Sequence, residues 1–197
     1  VLDIVEMVLS GSVNKQVVRN IIEVGGRAIG VSGVDGSLLQ AEPTENADTL
    51  GFVGEVIGVN HEVIEGIIAQ GNVPVISPVG IDAGGQRYNI NGDIAASAIA
   101  KALGANLCFI SDIPGILVEK NGAKTKLDKV SKATIEELID NKTIYGGMIP
   151  KVKAAIDGLV HKIPEVSIIN GSEKSSLIDY TNGKMTGTKI VLEEGIA

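Results

Sequence analysis

The apolar residues of this chain recur at two kinds of spacing, and each kind predicts a type of secondary structure. In the first segment they recur at helical spacing from Val5 to Ile21, which predicts an amphipathic helix that ends at Gly25-Gly26. Elsewhere, short continuous apolar runs lie between glycine or polar residues, as in strands that are buried on both faces. The runs that predict buried strands are 28–32, 73–77, 107–110 and 166–169.

Further helices are predicted where helical spacing coincides with start and stop signals. Asn60 is a good N-cap, Thr134-Ile135-Glu136-Glu137 has the composition of a capping box, and Pro150 suits the first turn of a helix. The predicted helices are 61–70, 93–103, 134–141, 150–162 and 175–181.

Turn and loop signals separate the remaining segments. Asn121-Gly122 predicts a hairpin turn between residues 116–119 and the residues that follow it. Residues 41–50 contain Pro43 and three acids, and they predict a polar surface loop. The other predicted strands are 52–59, 86–90 and 188–192.

The order of these elements predicts an α/β fold. Strand–helix–strand units favour a mostly parallel central sheet with helices on both faces, an α/β/α sandwich. We expect two lobes, residues 1–106 and residues 107–197.

Composition excludes several classes of protein. A net charge of −7 over 197 residues argues against general nucleic-acid binding, which needs a basic surface. No apolar run approaches the ~20 residues of a membrane span, and no signal peptide is visible. The single Cys108 lies in an apolar run, where we expect an inert, buried thiol. These observations predict a cytoplasmic protein that binds neither nucleic acid nor membrane.

Two segments place polar groups where an anion can bind. Asn89-Ile90-Asn91-Gly92-Asp93-Ile94-Ala95-Ala96 joins a predicted strand to a helix and supplies amides and a carboxylate. Gly146-Gly147-Met148-Ile149-Pro150-Lys151 opens a helix and supplies glycine N–H groups and an ammonium. Together they suggest phosphoryl transfer to a small carboxylate, in which catalysis consists mainly of positioning and charge stabilisation.

Each of these residues also has a purely structural interpretation. Asp93 at the start of a helix is favoured as a cap, and Lys151 beside Lys153 is typical of an exposed helix face. His61 and His161 are far apart and show no metal-ligand spacing, so we assign them no metal and no catalytic role.

An ordered set of motifs along nearly the whole chain resembles the acetylglutamate kinases of the amino acid kinase superfamily. The motifs begin with Met7-Val8-Leu9-Ser10-Gly11-Ser12-Val13-Asn14-Lys15 and Gly33-Val34-Asp35-Gly36, continue through Leu50-Gly51-Phe52-Val53-Gly54, Pro74-Val75-Ile76-Ser77, the Asn89 segment and Ser111-Asp112-Ile113-Pro114-Gly115-Ile116, and end with the Gly146-Gly147 segment and Thr186-Gly187-Thr188.

The resemblance implies ATP-dependent phosphorylation of the side-chain carboxylate of N-acetyl-L-glutamate, in arginine biosynthesis. It implies that Asn89 holds the substrate, that Asp93 orients the active-site lysines, and that Lys151 stabilises charge on the transferred phosphoryl group. Mg²⁺ would accompany ATP, no cofactor would be tightly bound, and the enzyme would be a homodimer or a larger homo-oligomer. The implied nucleotide-binding residues are Asp112, Ile113, Pro114, Gly115, Ile116, Leu117, Thr143, Ile144 and Tyr145.

The chain also departs from the family pattern. A strand ending in a Gly-Gly-Lys loop, a second Gly-Gly pair and an arginine for the substrate carboxylate belong to the family's N-terminal portion, and none of them is present. We therefore expect the chain as given to be inactive as a kinase. Two alternatives remain open: a kinase for a related carboxylate such as carrier-bound aminoadipate, and a non-catalytic ligand-binding or regulatory protein of the same fold.

Overall fold

The computed structural model describes residues 1–45, 47–120 and 123–193. The chain divides into two compact units, Val1–Ala102 and Leu103–Ala197. None of the helices within the described ranges is long and apolar enough to cross a membrane.

Unit 1 begins with one helical segment whose centre is π-helical and whose two ends are α-helical. α1 (Leu2–Glu6) continues into a π-helical turn over Met7–Val13 and then into α2 (Asn14–Glu23). The predicted extent of the helix is confirmed, but its π-helical centre was not anticipated. Ser10-Gly11-Ser12 are poor α-helix formers, and they coincide with the wider turn. Gly25, with φ of +84°, ends the segment as predicted.

Apart from a short 3-10 turn at Asp35–Ser37, the remaining elements of unit 1 among the described residues are three α-helices and six strands. They are β1 (Ala28–Ser32), β2 (Leu39–Pro43), α3 (Ala47–Leu50), β3 (Gly54–Val59), α4 (His61–Ala69), β4 (Val73–Ser77), β5 (Val79–Ile81), β6 (Arg87–Asn89) and α5 (Gly92–Leu103).

Two sheets organise these strands. β1 and β4 pair in parallel, from Ala28 opposite Val73 to Ser32 opposite Ser77. The other sheet has the order β3-β2-β5-β6, in which β2 is antiparallel to β3 and parallel to β5, and β5 is antiparallel to β6.

The predicted surface loop at 41–50 is wrong at both ends, because β2 runs through Leu39–Pro43 and α3 covers Ala47–Leu50. The side chains of β2 alternate between buried Leu39 and Ala41 and exposed Gln40 and Glu42. The polar residues that suggested a loop therefore form the outward face of a strand, a pattern of period two.

Unit 2 holds a second α/β layer. Its elements are β7 (Leu107–Ser111), β8 (Leu117–Lys120), β9 (Ala123–Lys126), β10 (Lys129–Ser131), α6 (Lys132–Asp140), α7 (Met148–Val160), β11 (Val166–Asn170), α8 (Ser176–Thr181) and β12 (Thr188–Val191). Its main sheet has the order β10-β12-β11-β7. β10 is parallel to β12 and β11 to β7, whereas β11 and β12 are antiparallel.

The hairpin predicted around Asn121-Gly122 is confirmed by the antiparallel pairing of β8 with β9, although those two turn residues lie outside the described ranges. The predicted start of α6 at Thr134 is wrong. The helix begins at Lys132, and the Ser131 hydroxyl accepts a hydrogen bond from the Thr134 N–H at 3.2 Å. Ser131 is therefore the N-cap.

The α/β class is confirmed, with sheets that mix parallel and antiparallel pairs. The core of unit 2 is aliphatic, and Val166, Ile168 and Ile190 are fully buried. Cys108 is half-buried in β7, where burial, with a smaller contribution from the charge of Glu165, raises the pKa of its thiol to about 11. The thiol therefore stays protonated at neutral pH, which agrees with an inert cysteine.

Candidate functional site

A cavity of about 760 Å³ lies in unit 2, within the size range of small-molecule sites. It opens at the carboxyl end of β7, where ligands bind in α/β folds. Its wall consists of the end of β7 with the loop after it, the β8–β9 hairpin, the segment after α6 and the start of α7. The lining residues are Ser111, Asp112, Ile113, Gly115, Ile116, Leu117, Val118, Glu119, Lys124, Lys142, Thr143, Ile144, Tyr145, Gly147, Met148 and Lys151.

The loop after β7 contributes five of the six residues predicted there for nucleotide binding. Asp112, Ile113, Gly115, Ile116 and Leu117 line the cavity. Pro114 belongs to the same loop but is not among the lining residues. Ile116 is anchored by its N–H, which donates to the Thr188 hydroxyl at 2.9 Å.

The segment after α6 brings the second predicted group to the same cavity. The Ile144 N–H donates to Leu138 O at 2.8 Å and the Thr143 N–H donates to Asn141 Oδ1 at 3.0 Å. These bonds fold the chain back over the end of the helix and bury Ile144. Tyr145 stays largely exposed and is one of the residues that line the cavity.

The start of α7 supplies the groups expected to hold an anion. The N–H groups of Met148 and Ile149 donate to Tyr145 O and Gly146 O, and Pro150 has no N–H. Within the described part of the chain, the N–H donors left for a ligand at this helix start are those of Gly146 and Gly147. The helix dipole adds partial positive charge at the same place.

Lys151 projects from the first turn of α7 into the cavity. Its ammonium lies 4.8 Å from the centre of the Phe109 ring, within the ~6 Å range of a cation–π contact. Phe109 is buried in β7, so the strand and the helix together fix the position of the charge.

The cavity wall is more positive than the chain as a whole. Lys124, Lys142 and Lys151 line it, against the acids Asp112 and Glu119. This balance suits an anionic ligand in a protein whose net charge is −7.

Sequence reasoning missed two of these lysines. Lys124 reaches the cavity because β9 places it directly opposite Glu119 of β8. Lys142 follows the end of α6 with φ of +62°, a left-handed conformation that favours glycine. Only the hairpin register predicted from Asn121-Gly122 could have indicated the place of Lys124, and no sequence signal indicated Lys142.

The two remaining predicted site residues lie in unit 1. Asn89 ends β6, and its N–H donates to Phe52 O at 2.8 Å. Asp93 is the second residue of α5. Asn91 is an N-cap of this helix, because its Oδ1 accepts from the N–H groups of Asp93 and Ile94 at 2.9 and 3.2 Å. Asp93 lies in the first turn, where the positive end of the helix dipole favours a carboxylate.

Among the residues that the structure describes, no group of three or more histidines, cysteines and acids is arranged to hold a metal ion. Predicted nucleotide-binding residues from two distant segments meet at one cavity with Lys151, whereas Asn89 and Asp93 belong to the other unit.

Comparison with known proteins gives concordant matches. A model of the amino acid kinase family matches residues 1–170. The acetylglutamate kinase of Geobacillus kaustophilus is 49% identical over 197 residues, which are 100% of this chain and 73% of that protein. The crystal structure of smu.665 from Streptococcus mutans UA159 is 27% identical, with a TM-score of 0.82 over 98% of this chain and 72% of that one. The carbamate kinase of Giardia lamblia bound to AMP-PNP, at 19% identity, has a similar fold, with a TM-score of 0.68 over 93% of this chain and 70% of that one.

Proposed function

Because this chain belongs to the amino acid kinase family and, within it, to the acetylglutamate kinases, we propose that it uses ATP to phosphorylate the side-chain carboxylate of N-acetyl-L-glutamate, a step of arginine biosynthesis. The observation that carries the proposal is the cavity of unit 2, where the loop after β7, the segment after α6 and Lys151 meet.

The nucleotide occupies this cavity. Residues 112–117 and 143–145 form its binding surface, and the exposed ring of Tyr145 offers a face on which a base can stack. The phosphates point to the start of α7, where the N–H groups of Gly146 and Gly147 and the Lys151 ammonium present positive charge. Mg²⁺ enters with ATP as part of the substrate and bridges phosphate oxygens.

The reaction is a direct transfer. An oxygen of the substrate carboxylate bonds to the γ-phosphorus, the bond between that phosphorus and the oxygen bridging to the β-phosphate breaks, and ADP leaves with the bonding electrons. The carboxylate is ionised at neutral pH, so it needs no general base. Lys151 stabilises the negative charge on the phosphoryl oxygens as the group is transferred.

The substrate side involves unit 1. Asn89 at the end of β6 offers a side-chain amide, which can donate to a carboxylate and accept from an amide N–H, the two groups that an N-acetylated amino acid presents. Asp93, in the first turn of α5, supplies a carboxylate that can orient lysine ammonium groups, and we assign it the role of orienting the lysines that act on the phosphoryl group.

We also propose that the protein is at least a homodimer. Ile4, Val8, Val13 and Val17 all lie on the first helical segment, and all four side chains are exposed. The step of five residues from Val8 to Val13 coincides with the π-helical turn, whose wider winding keeps these side chains on one face. A continuous exposed apolar face of this kind is typical of a protein–protein interface.

The test is an ADP-release assay on the protein as its gene encodes it, with N-acetyl-L-glutamate, L-glutamate and 2-aminoadipate derivatives as acceptors. We expect release that depends on N-acetyl-L-glutamate, together with an acyl phosphate that hydroxylamine traps as a hydroxamate. Preference for an aminoadipate derivative would instead support a kinase for a related carboxylate. Nucleotide binding without turnover on any acceptor would support a non-catalytic protein.

A further inference from the structure

Thr188 connects three chain segments at the edge of the cavity. It is the first residue of β12 and is fully buried. Its hydroxyl accepts a hydrogen bond from the Ile116 N–H at 2.9 Å and donates one to Leu127 O at 2.5 Å. The Leu127 N–H in turn donates to Ile116 O at 2.9 Å.

These three bonds close the neck of the β8–β9 hairpin. Ile116 directly precedes β8, and Leu127 directly follows β9. Every cavity residue of the hairpin therefore lies beyond this neck, including Glu119 and Lys124. The buried hydroxyl of Thr188 thus fixes the position at which the β8–β9 hairpin, one wall of the cavity, begins.

Two glycines make this arrangement possible. Gly115 has φ of +134°, and a β-carbon there would collide with the Thr188 hydroxyl, so the cavity loop packs directly on that side chain. Gly187 has φ of +68°, and a β-carbon there would collide with Ile168 O, so the backbone before Thr188 lies tightly against β11. Thr188 therefore has little freedom to move.

We propose that Thr188 is a positioning residue for the nucleotide site, which acts through Ile116 and the hairpin neck and does not touch the nucleotide. The proposal rests on the proposed function, because it assumes that the cavity of unit 2 binds the nucleotide. It also gives a role to the Thr186-Gly187-Thr188 motif, to which the sequence assigned none.

Replacing the hydroxyl by a methyl group in Thr188→Val keeps the volume but removes both hydrogen bonds. The Ile116 N–H then loses its partner in a buried place and Leu127 O loses it in a partly buried one, which favours movement of the neck. Misplacement of a binding group by about 1 Å can cost up to ~100-fold in function. We therefore expect Thr188→Val to raise the Kd for MgADP at least about tenfold, and Thr188→Ser, which keeps the hydroxyl, to stay within about threefold of wild type.

Calorimetric titration with MgADP tests this in the wild-type chain, Thr188→Val, Thr188→Ser and Ile190→Val. Ile190 is equally buried in the same strand, so its variant controls for a general loss of stability. Equal Kd values for wild type and Thr188→Val would overturn the inference alone. A wild-type chain that binds no MgADP would overturn the proposed function as well.

Hydrogen exchange of the wild-type protein covers the case in which Thr188→Val does not fold. The Ile116 amide should be strongly protected, because it is bonded to a buried hydroxyl. An Ile116 amide that exchanges as fast as the exposed amides of the neighbouring loop would show that the neck is not closed, and the inference would be wrong.

Discussion

The ammonium of Lys151 lies 4.8 Å from the centre of the Phe109 ring. This contact connects the first turn of α7 with β7, the strand that ends at the cavity. A lysine side chain in water samples many rotamers, and holding it costs conformational entropy. Contact with a buried aromatic ring reduces the number of rotamers before any ligand arrives. The charge is therefore preorganised for the oxygens of a transferred phosphoryl group.

In the protein as its gene encodes it, replacement of Lys151 by alanine should lower kcat by about 10²–10³ and change the substrate KM much less, because an aimed charge matters most in the transition state. Steady-state ADP-release kinetics measure both parameters. Lys153→Ala is the matched control, since Lys153 is an exposed lysine of the same helix that does not line the cavity. A nearly normal kcat for Lys151→Ala would remove Lys151 from the mechanism.

In the same gene-encoded protein, replacement of Asn89 by alanine should act mainly on substrate binding. We expect the KM for N-acetyl-L-glutamate to rise by roughly tenfold or more, in line with the loss of one or two hydrogen bonds to a charged group, and the KM for ATP to stay close to wild type. Measuring both KM values in one preparation separates the two sites. A rise in the KM for ATP alone would show that Asn89 contributes to ATP binding and not to binding of N-acetyl-L-glutamate.

Replacement of Asn91 by alanine should destabilise unit 1 by about 1 kcal/mol, because α5 loses the cap for the N–H groups of Asp93 and Ile94. Asn91→Ser keeps a capping oxygen and should recover most of the loss. Urea denaturation monitored by circular dichroism gives the free energies of unfolding. The same loss in both variants would show that the Asn91 side chain does not cap the helix.

The ion pair between Glu165 and Lys189 should make stability depend on pH. The hydrogen bond from the Lys189 ammonium holds the pKa of the Glu165 carboxyl below its usual value. The stabilisation is therefore fully present above the ordinary glutamate pKa of about 4.3 and is lost as the pH falls through the lower folded-state pKa. Lys189→Met should lower the urea midpoint more at pH 7 than at pH 3. A uniform loss at both pH values would contradict this, and Lys153→Met controls for removal of a lysine charge.

Light scattering after size exclusion should give a mass of at least two chains at micromolar concentration. Placing a charge on the apolar face of the first helical segment, as in Val8→Glu with Val17→Glu, should shift the protein toward the monomer. Ile68→Glu is the control, because Ile68 is an exposed apolar residue of α4 outside that face. Wild type that elutes as a monomer would refute the proposed assembly.

The secondary structure was predictable where the spacing of apolar residues alone indicates which residues are covered by the rest of the protein. The apolar runs at Ala28–Ser32 and Val73–Ser77 became strands with those bounds, because a short continuous apolar run between glycine or polar residues is typical of a strand in a parallel pair. β2 was missed because its outward face carries Gln40 and Glu42, and β5 because three residues show no period. The predicted N-terminus of α6 was wrong because the sequence offers two residues that are good N-caps. Thr134 was predicted, and Ser131 is the cap in the structure.

The candidate site was predictable where it follows directly from a strand end. Residues 112–117 follow β7, so their place at a ligand-binding edge could be inferred from chain order alone. Thr188 could not be placed in this way, because it lies 72 positions after Ile116 and its contact exists only in the folded sheet. Lys142 depends on a backbone conformation that lysine rarely adopts.

The last strand of unit 2, β12, lies between β10 and β11 and pairs with both. A chain made from its N-terminus therefore leaves a gap in the sheet of unit 2 until residues 188–191 have been synthesised. Among the described strands, β10 pairs with β12 alone, so the sheet of unit 2 cannot close before β12 has been made. Folding of this sheet depends on contacts between residues far apart in the chain, a topology associated with slow folding. Loss of a few residues at the C-terminal end of β12 would thus open the sheet at its interior and not at an edge.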